Sequence, residues 1–166
     1  MTEKRRQNFS PPAQKSNPQA MNAAVRILTH RDHSKYELKQ KLQQRGFTSE
    51  IIDTVLQECE RLNYIDDKRT ARIYISQLKR KRFGIRHVRM ALKKKRLYGA
   101  AIENFLSENY TKIEEHKNAD KLLQKKMKTF NREEDLKKRR DKIFRFLYSR
   151  GFNKDIIADL IRDLVK

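Results

Sequence analysis

From Met21 to Lys166 the chain contains no proline, and only Gly46, Gly84, Gly99 and Gly151 interrupt it as glycines. A β protein needs far more turn residues than this, and no sustained alternation of apolar and polar residues is present. A long proline-free stretch with few glycines is what an all-α chain permits. Apolar residues recur at helical spacing throughout. Ile52, Val55, Leu56, Cys59 and Leu62 form one stripe; Ala71, Tyr74, Ile75 and Leu78 form a second; Ile85, Val88 and Leu92 a third. Ala119, Leu122, Leu123, Met127 and Phe130 follow, and then Ile156, Ile157, Leu160, Ile161 and Leu164. Ser34-Lys35-Tyr36-Glu37 reads as a capping box, and Asp66 or Asp67 as the cap of the helix carrying Tyr74. The pattern amounts to about nine short helices joined by tight turns.

The chain also repeats itself. Leu42 to Ile52 lies over Leu147 to Ile157, with Leu, Arg, Gly, Phe, an acid and two Ile coinciding. A weaker copy lies between them, with Arg96-Leu97 opposite Gly46-Phe47 and Ile102 opposite Ile52. Gly46 and Gly151 suit helix C-terminal caps with positive φ. Phe47 and Phe152 are expected as buried corner plugs. Arg96 stands where the other copies have glycine, so its turn is expected to close differently.

The first twenty residues hold all three prolines, few large apolar side chains, and Lys4, Arg5, Arg6 and Lys15. They read as a disordered basic tail without a secretory h-region. No apolar run could cross a membrane. The single cysteine, Cys59, excludes an internal disulfide framework, fits a reducing cytoplasmic compartment, and falls on an apolar stripe as a small buried hydrophobe.

Signals for catalysis are missing: no glycine-rich phosphate loop and no nucleophile elbow occur, so no catalytic residue and no cofactor is expected. His30 and His33 lie three apart without an acid or cysteine at ligand spacing, and read as a solvated turn rather than a metal site. Charge is the informative feature. Lys and Arg number 41 against 21 Asp and Glu, a net charge of +20. Between Lys68 and Ile102 there are thirteen Lys and Arg and no acid. Arg72, Lys79, Arg80, Lys81, Arg82, Arg86, Arg89, Lys93 and Arg96 are the candidate binding residues for an anionic partner. Arg86, Arg89, Lys93 and Arg96 share one helical face beside the Ile85, Val88 and Leu92 stripe, so reversing the first three should spare the fold. These residues can hold a phosphate backbone, but nothing in the pattern reads base edges.

Leu28-Thr29-His30-Arg31-Asp32-His33-Ser34-Lys35-Tyr36-Glu37-Leu38, Lys41-Leu42 and Arg45-Gly46-Phe47 resemble the first-repeat signature of the RecX family. Asn63-Tyr64-Ile65-Asp66-Asp67, followed by Arg69 and Ala71, does so too, and Phe83-Gly84-Ile85 resembles the entry to the second helix of the middle repeat. The resemblance covers roughly residues 23–166. It implies three tandem three-helix repeats in an elongated, curved arrangement, at about 21–66, 67–111 and 112–166, after the tail of 1–20. It also implies a non-enzymatic, monomeric regulator that binds the filament of the RecA recombinase on DNA and restrains its ATPase and strand exchange. Single-stranded and double-stranded DNA are then further partners. Asn63 and Thr70 depart from the glycine and phenylalanine common in the family, and Arg96 from a turn glycine. From charge alone, a general nucleic-acid-binding helical protein, associated with RNA or the ribosome and acting without RecA, is the alternative.

Overall fold

The computed structural model describes residues 17–164, and the expected tail therefore lies outside the described residues up to position 16. Residues 17–20 do not belong to a tail. Asn17 caps α1 (Pro18–His30), its Oδ1 accepting the amides of Gln19 at 3.0 Å and Ala20 at 3.1 Å, with Pro18 in the first turn. Proline is tolerated there because its missing N–H would have no intrahelical partner.

Ten helices and no strand occur among the described residues. Two compact units divide the chain between Ile65 and Asp66. The first holds α1, α2 (Lys35–Gln43) and α3 (Ser49–Arg61). They close on a core built around Ala24, Leu38, Leu42, Ile52, Val55 and Cys59, all inaccessible to solvent. Ser34 forms the full capping box at α2: its side chain accepts the Glu37 amide, and the Glu37 carboxylate accepts the Ser34 amide at 3.1 Å. His33 is buried rather than solvated, because it is drawn in beside that cap with Nδ1 2.8 Å from the Arg31 carbonyl. Burial lowers its pKa from the ordinary value. Cys59 is buried as expected, and burial, then the Glu58 charge, pushes its thiol up to about 11.

The second unit contains α4 (Asp67–Arg80), α5 (Ile85–Lys94) and α6 (Ala100–Asn109), then α7 (Lys112–Gln124), α8 (Met127–Phe130), α9 (Leu136–Ser149) and α10 (Lys154–Asp163). The first three share a core of Ala71, Ile75, Val88, Leu92, Leu97 and Leu106. The last four share one around Leu123, Ile143, Leu147, Phe152, Ile156 and Ile157. The single turn α8 is the helix that periodicity misses. The stripe from Ala119 to Phe130 reads as continuous, yet the helix breaks at Lys125 and resumes at Met127. Asp66 caps α4 through Lys68 and Arg69, Thr111 caps α7, and Asp135 caps α9.

Five helix ends close in the same way. At Gly46, Asn63, Arg82, Arg96 and Gly151 the backbone turns left-handed, with φ between 56° and 87°. The next residue sends its amide back five positions: Phe47 to Leu42, Tyr64 to Cys59, Phe83 to Leu78, Leu97 to Leu92 and Phe152 to Leu147, at 2.8–3.4 Å. At four of these turns Phe47, Phe83, Leu97 and Phe152 join the core that holds the last turn of the preceding helix, whereas Tyr64 is left 48 % exposed. Arg96 does not make its turn close differently. It adopts the glycine conformation at φ 57° and accepts the steric cost. Nor are the two phenylalanine corners equivalent. Phe152 is fully buried, whereas Phe47 is half-buried against its own small core.

Candidate nucleic-acid interface

The basic segment begins on α4. Ala71, Ile75 and Leu78 turn inward, which leaves Arg72, Ile73, Ser76 and Arg80 exposed and Lys79 half-buried. Arg82, in the left-handed turn after the helix, continues this surface. Asn118 and Lys121 of α7 line the other side of a shallow cleft of about 720 Å³, wide open to solvent. Five of its eight lining residues are cationic, and none is acidic. Lys79 is partly engaged: its Nζ lies 3.5 Å from Glu114 and 6.0 Å from the Tyr110 ring centre. The Arg72 guanidinium sits 5.4 Å from the centre of the Phe105 ring.

The cleft gathers Arg72, Lys79, Arg80 and Arg82 from the expected set. Lys81 caps the end of α4 and does not line it. Arg86, Arg89 and Lys93 lie exposed along α5, and Arg96 forms the corner beyond. Sequence reasoning missed Ser76, Asn118 and Lys121. The last two sit on a helix whose first turn is acidic, and no local signal marks them as facing α4.

The α5 cations are not a free face. Arg86 Nη2 donates to Tyr148 Oη at 2.9 Å, and its guanidinium lies 4.1 Å over the Tyr148 ring. Arg89 Nε donates to Glu103 Oε1 at 3.1 Å, and the pair forms a salt bridge. The run without acids in sequence is thus supplied with Glu103, Glu114 and Glu115 from outside it. Reversing Arg86 and Arg89 would break contacts that hold α5 to α9 and α6, so the fold would feel it.

What ties α5 to α7 and to the end of α9 is an unusual helix start. Gly84 precedes α5 and offers no side-chain cap. The first three amides are instead capped from α7 and the end of α9. Gly84 N–H donates to the Arg150 carbonyl at 3.0 Å, Ile85 N–H to Glu115 Oε1 at 3.0 Å, and Arg86 N–H to the Gly151 carbonyl at 3.1 Å. Glu115 is 2 % exposed, and its other oxygen accepts Asn153 Nδ2 at 3.0 Å. Burial raises its carboxyl above the ordinary range, against the hydrogen bonds from Ile85 and Asn153. A carboxylate at a helix N-terminus also meets the positive end of the helix dipole. His87 stacks on Phe83 with ring centres 3.8 Å apart, and Arg150 lies 5.2 Å from the centre of the same Phe83 ring. Burial, then Arg150, lowers the His87 pKa.

No group of three or more His, Cys, Asp or Glu side chains able to hold a metal ion occurs among the described residues. Nor is any described helix long and apolar enough to cross a membrane.

Comparison with known proteins fits these observations. Residues 20–59 match the family model described as RecX, first three-helix domain, and residues 113–161 match RecX, third three-helix domain. Regulatory protein RecX of Haemophilus influenzae (strain PittGG) is 34% identical over 143 residues, 86% of this chain and 92% of that protein. Regulatory protein RecX of Legionella pneumophila (strain Corby) is 32% identical over 146 residues, 87% of this chain and 94% of that one. The crystal structure of RecX from Lactobacillus salivarius superposes with a TM-score of 0.75 at 22% identity, covering 88% of this chain and 94% of that chain. With an all-helical fold, matches to the first and third three-helix domains of RecX and near full-length relatives, the chain belongs to the RecX family of regulatory proteins.

Proposed function

We propose that this protein is a non-catalytic cytoplasmic regulator that binds the RecA–DNA nucleoprotein filament and restrains its ATPase and strand exchange. The observation that carries the reading is the match along 92% of a relative named regulatory protein RecX. The cationic cleft supports it, because a filament on DNA presents phosphates to whatever docks on it. Three-helix repeats in series also give one chain several points of contact with successive protomers, which strengthens binding to a filament over binding to a free subunit.

The test is ATP hydrolysis by RecA on single-stranded DNA, titrated with this protein. Inhibition at less than one regulator per protomer is the expected result. Unchanged hydrolysis at an equimolar dose would overturn the reading and leave the RecA-independent nucleic-acid-binding protein in its place.

A further inference from the structure

We infer that the cleft between α4 and α7 is a two-walled binding site for the sugar–phosphate backbone of a single nucleic-acid strand. This deepens the proposed function, on which its biological setting rests. Cations line the cleft from both sides: Arg72, Arg80 and Arg82 from α4 and the turn after it, Lys121 from α7. Arg80, Arg82 and Lys121 make no ion pair among the described residues, unlike Arg89 on α5. From Arg72 to Arg80 the α4 wall runs about 12 Å at 1.5 Å per residue. A stacked strand carries one phosphate per ~3.4 Å, so several successive phosphates fit along it. Ser76 and Asn118 add uncharged hydrogen-bonding groups between the cations, and Ile73, 38 % exposed, gives the sugars an apolar contact.

An open trough with cations on both sides suits a continuous polyanion that passes through. An acidic peptide fits less well, because successive side chains of an extended segment point to opposite faces. The walls are α4 and α7: α4 leads through the Arg82 turn into α5, whose start is capped by Glu115 of α7, and Lys79 of α4 lies 3.5 Å from Glu114, so the cleft depends on that junction.

The experiment is fluorescence anisotropy of a labelled oligothymidylate with the full-length chain over a salt series. The Arg80→Glu/Lys121→Glu pair takes one cation from each wall. A loss of two phosphate contacts should weaken binding and flatten the log–log salt slope by about 1.4, at roughly 0.7 per contact. The neutral pair Arg80→Gln/Lys121→Gln should flatten it equally, and covers the case in which the reversed pair disturbs folding. Lys137→Glu/Arg140→Glu, the same charge change on the exposed start of α9, should leave the slope unchanged. The inference fails if the neutral pair keeps the wild-type slope while helical, or if polyglutamate displaces the oligonucleotide as well as an equal charge of unlabelled oligothymidylate. A wild-type protein that restrains RecA, alongside a cleft pair with unchanged slope, sinks the cleft alone. Lost slope in the cleft pair, with a wild-type protein that has no effect on RecA, sinks the filament reading alone.

Discussion

A Cβ atom built on Gly84 would stand 2.4 Å from the carbonyl carbon and oxygen of Gly151, and one on Gly151 would stand 2.4 Å from the His87 amide nitrogen. The two glycines interlock because each lets the other's backbone approach. Gly84→Ala should therefore destabilise residues 66–164 by at least about 3 kcal/mol, from overpacking against immobile backbone and loss of the α5 capping bonds. Gly46→Ala should cost only about 1–2 kcal/mol, the left-handed penalty alone, since nothing lies within 4 Å of its Cβ. Urea unfolding of the two variants tests this, and equal losses would contradict the interlock.

Glu115 is the charged part of the same junction. Glu115→Ala leaves the Ile85 amide without its acceptor and should cost about 1.5–3 kcal/mol. Glu115→Gln keeps an acceptor and should cost less. Because burial raises the folded-state pKa, the folded chain holds this proton more tightly than the unfolded one. Its contribution is therefore fullest below the ordinary value of 4.5 and declines as pH rises through the folded-state value. Denaturation midpoints measured from pH 4 upward should show that decline in wild type and a shallower one in Glu115→Gln.

Tyr110 Oη is buried without a hydrogen-bond partner. Burial, then the Glu115 charge, pushes its pKa well above the ordinary value. Removing an unsatisfied hydroxyl spares its desolvation cost, so Tyr110→Phe should be neutral or stabilise by up to about 1 kcal/mol. A clear loss in thermal melting would mean that the hydroxyl has a partner.

Arg82 and Arg96 pay a steric penalty in left-handed turns that glycine would avoid. Each change to Gly should stabilise by about 0.5–1 kcal/mol after glycine's larger chain entropy is counted. Arg82→Gly should also weaken oligonucleotide binding, because it removes a cleft cation, whereas Arg96 lies outside the cleft. Comparing melting with anisotropy for both variants separates the two effects.

The two phenylalanine corners should differ in the same assay. Phe152→Ala empties a fully enclosed site and should cost about 3–5 kcal/mol. Phe47→Ala, at a half-buried site, should cost about half as much.

The fold was largely legible because its signals are local. Helical stripes, the Ser34 box, the Asp66 cap and the Leu–Gly–Phe spacing all act within a few residues. The sequence marks the place of Arg96 in the repeat but not its conformation: burial of Leu97 in the core that also holds Leu92 offsets the left-handed penalty. The site was half legible. Charge density marked Arg72, Lys79, Arg80 and Arg82, but Lys121 joins them only through tertiary packing. The acid-free run likewise carries no counter-charge of its own, because Glu103, Glu114 and Glu115 lie beyond its C-terminal end. Nothing near Gly84 in sequence signals its role, since the acceptors that cap α5 lie at Glu115, Arg150 and Gly151.

The capping of α5 by Arg150, Gly151 and Glu115 has a consequence during synthesis. The helix start leaves the ribosome about 65 residues before Gly151, and at 5–20 residues per second that is a delay of roughly 3–13 s. Throughout that interval the Gly84 and Arg86 amides lack their native acceptors, and the Ile85 amide lacks its own until Glu115 has been made. The core of residues 17–65 is lined by that segment's own side chains, so it can begin to close first. The basic middle of the protein must wait for its last helices, so a nascent chain stalled before Gly151 would present its cations on an unfinished surface.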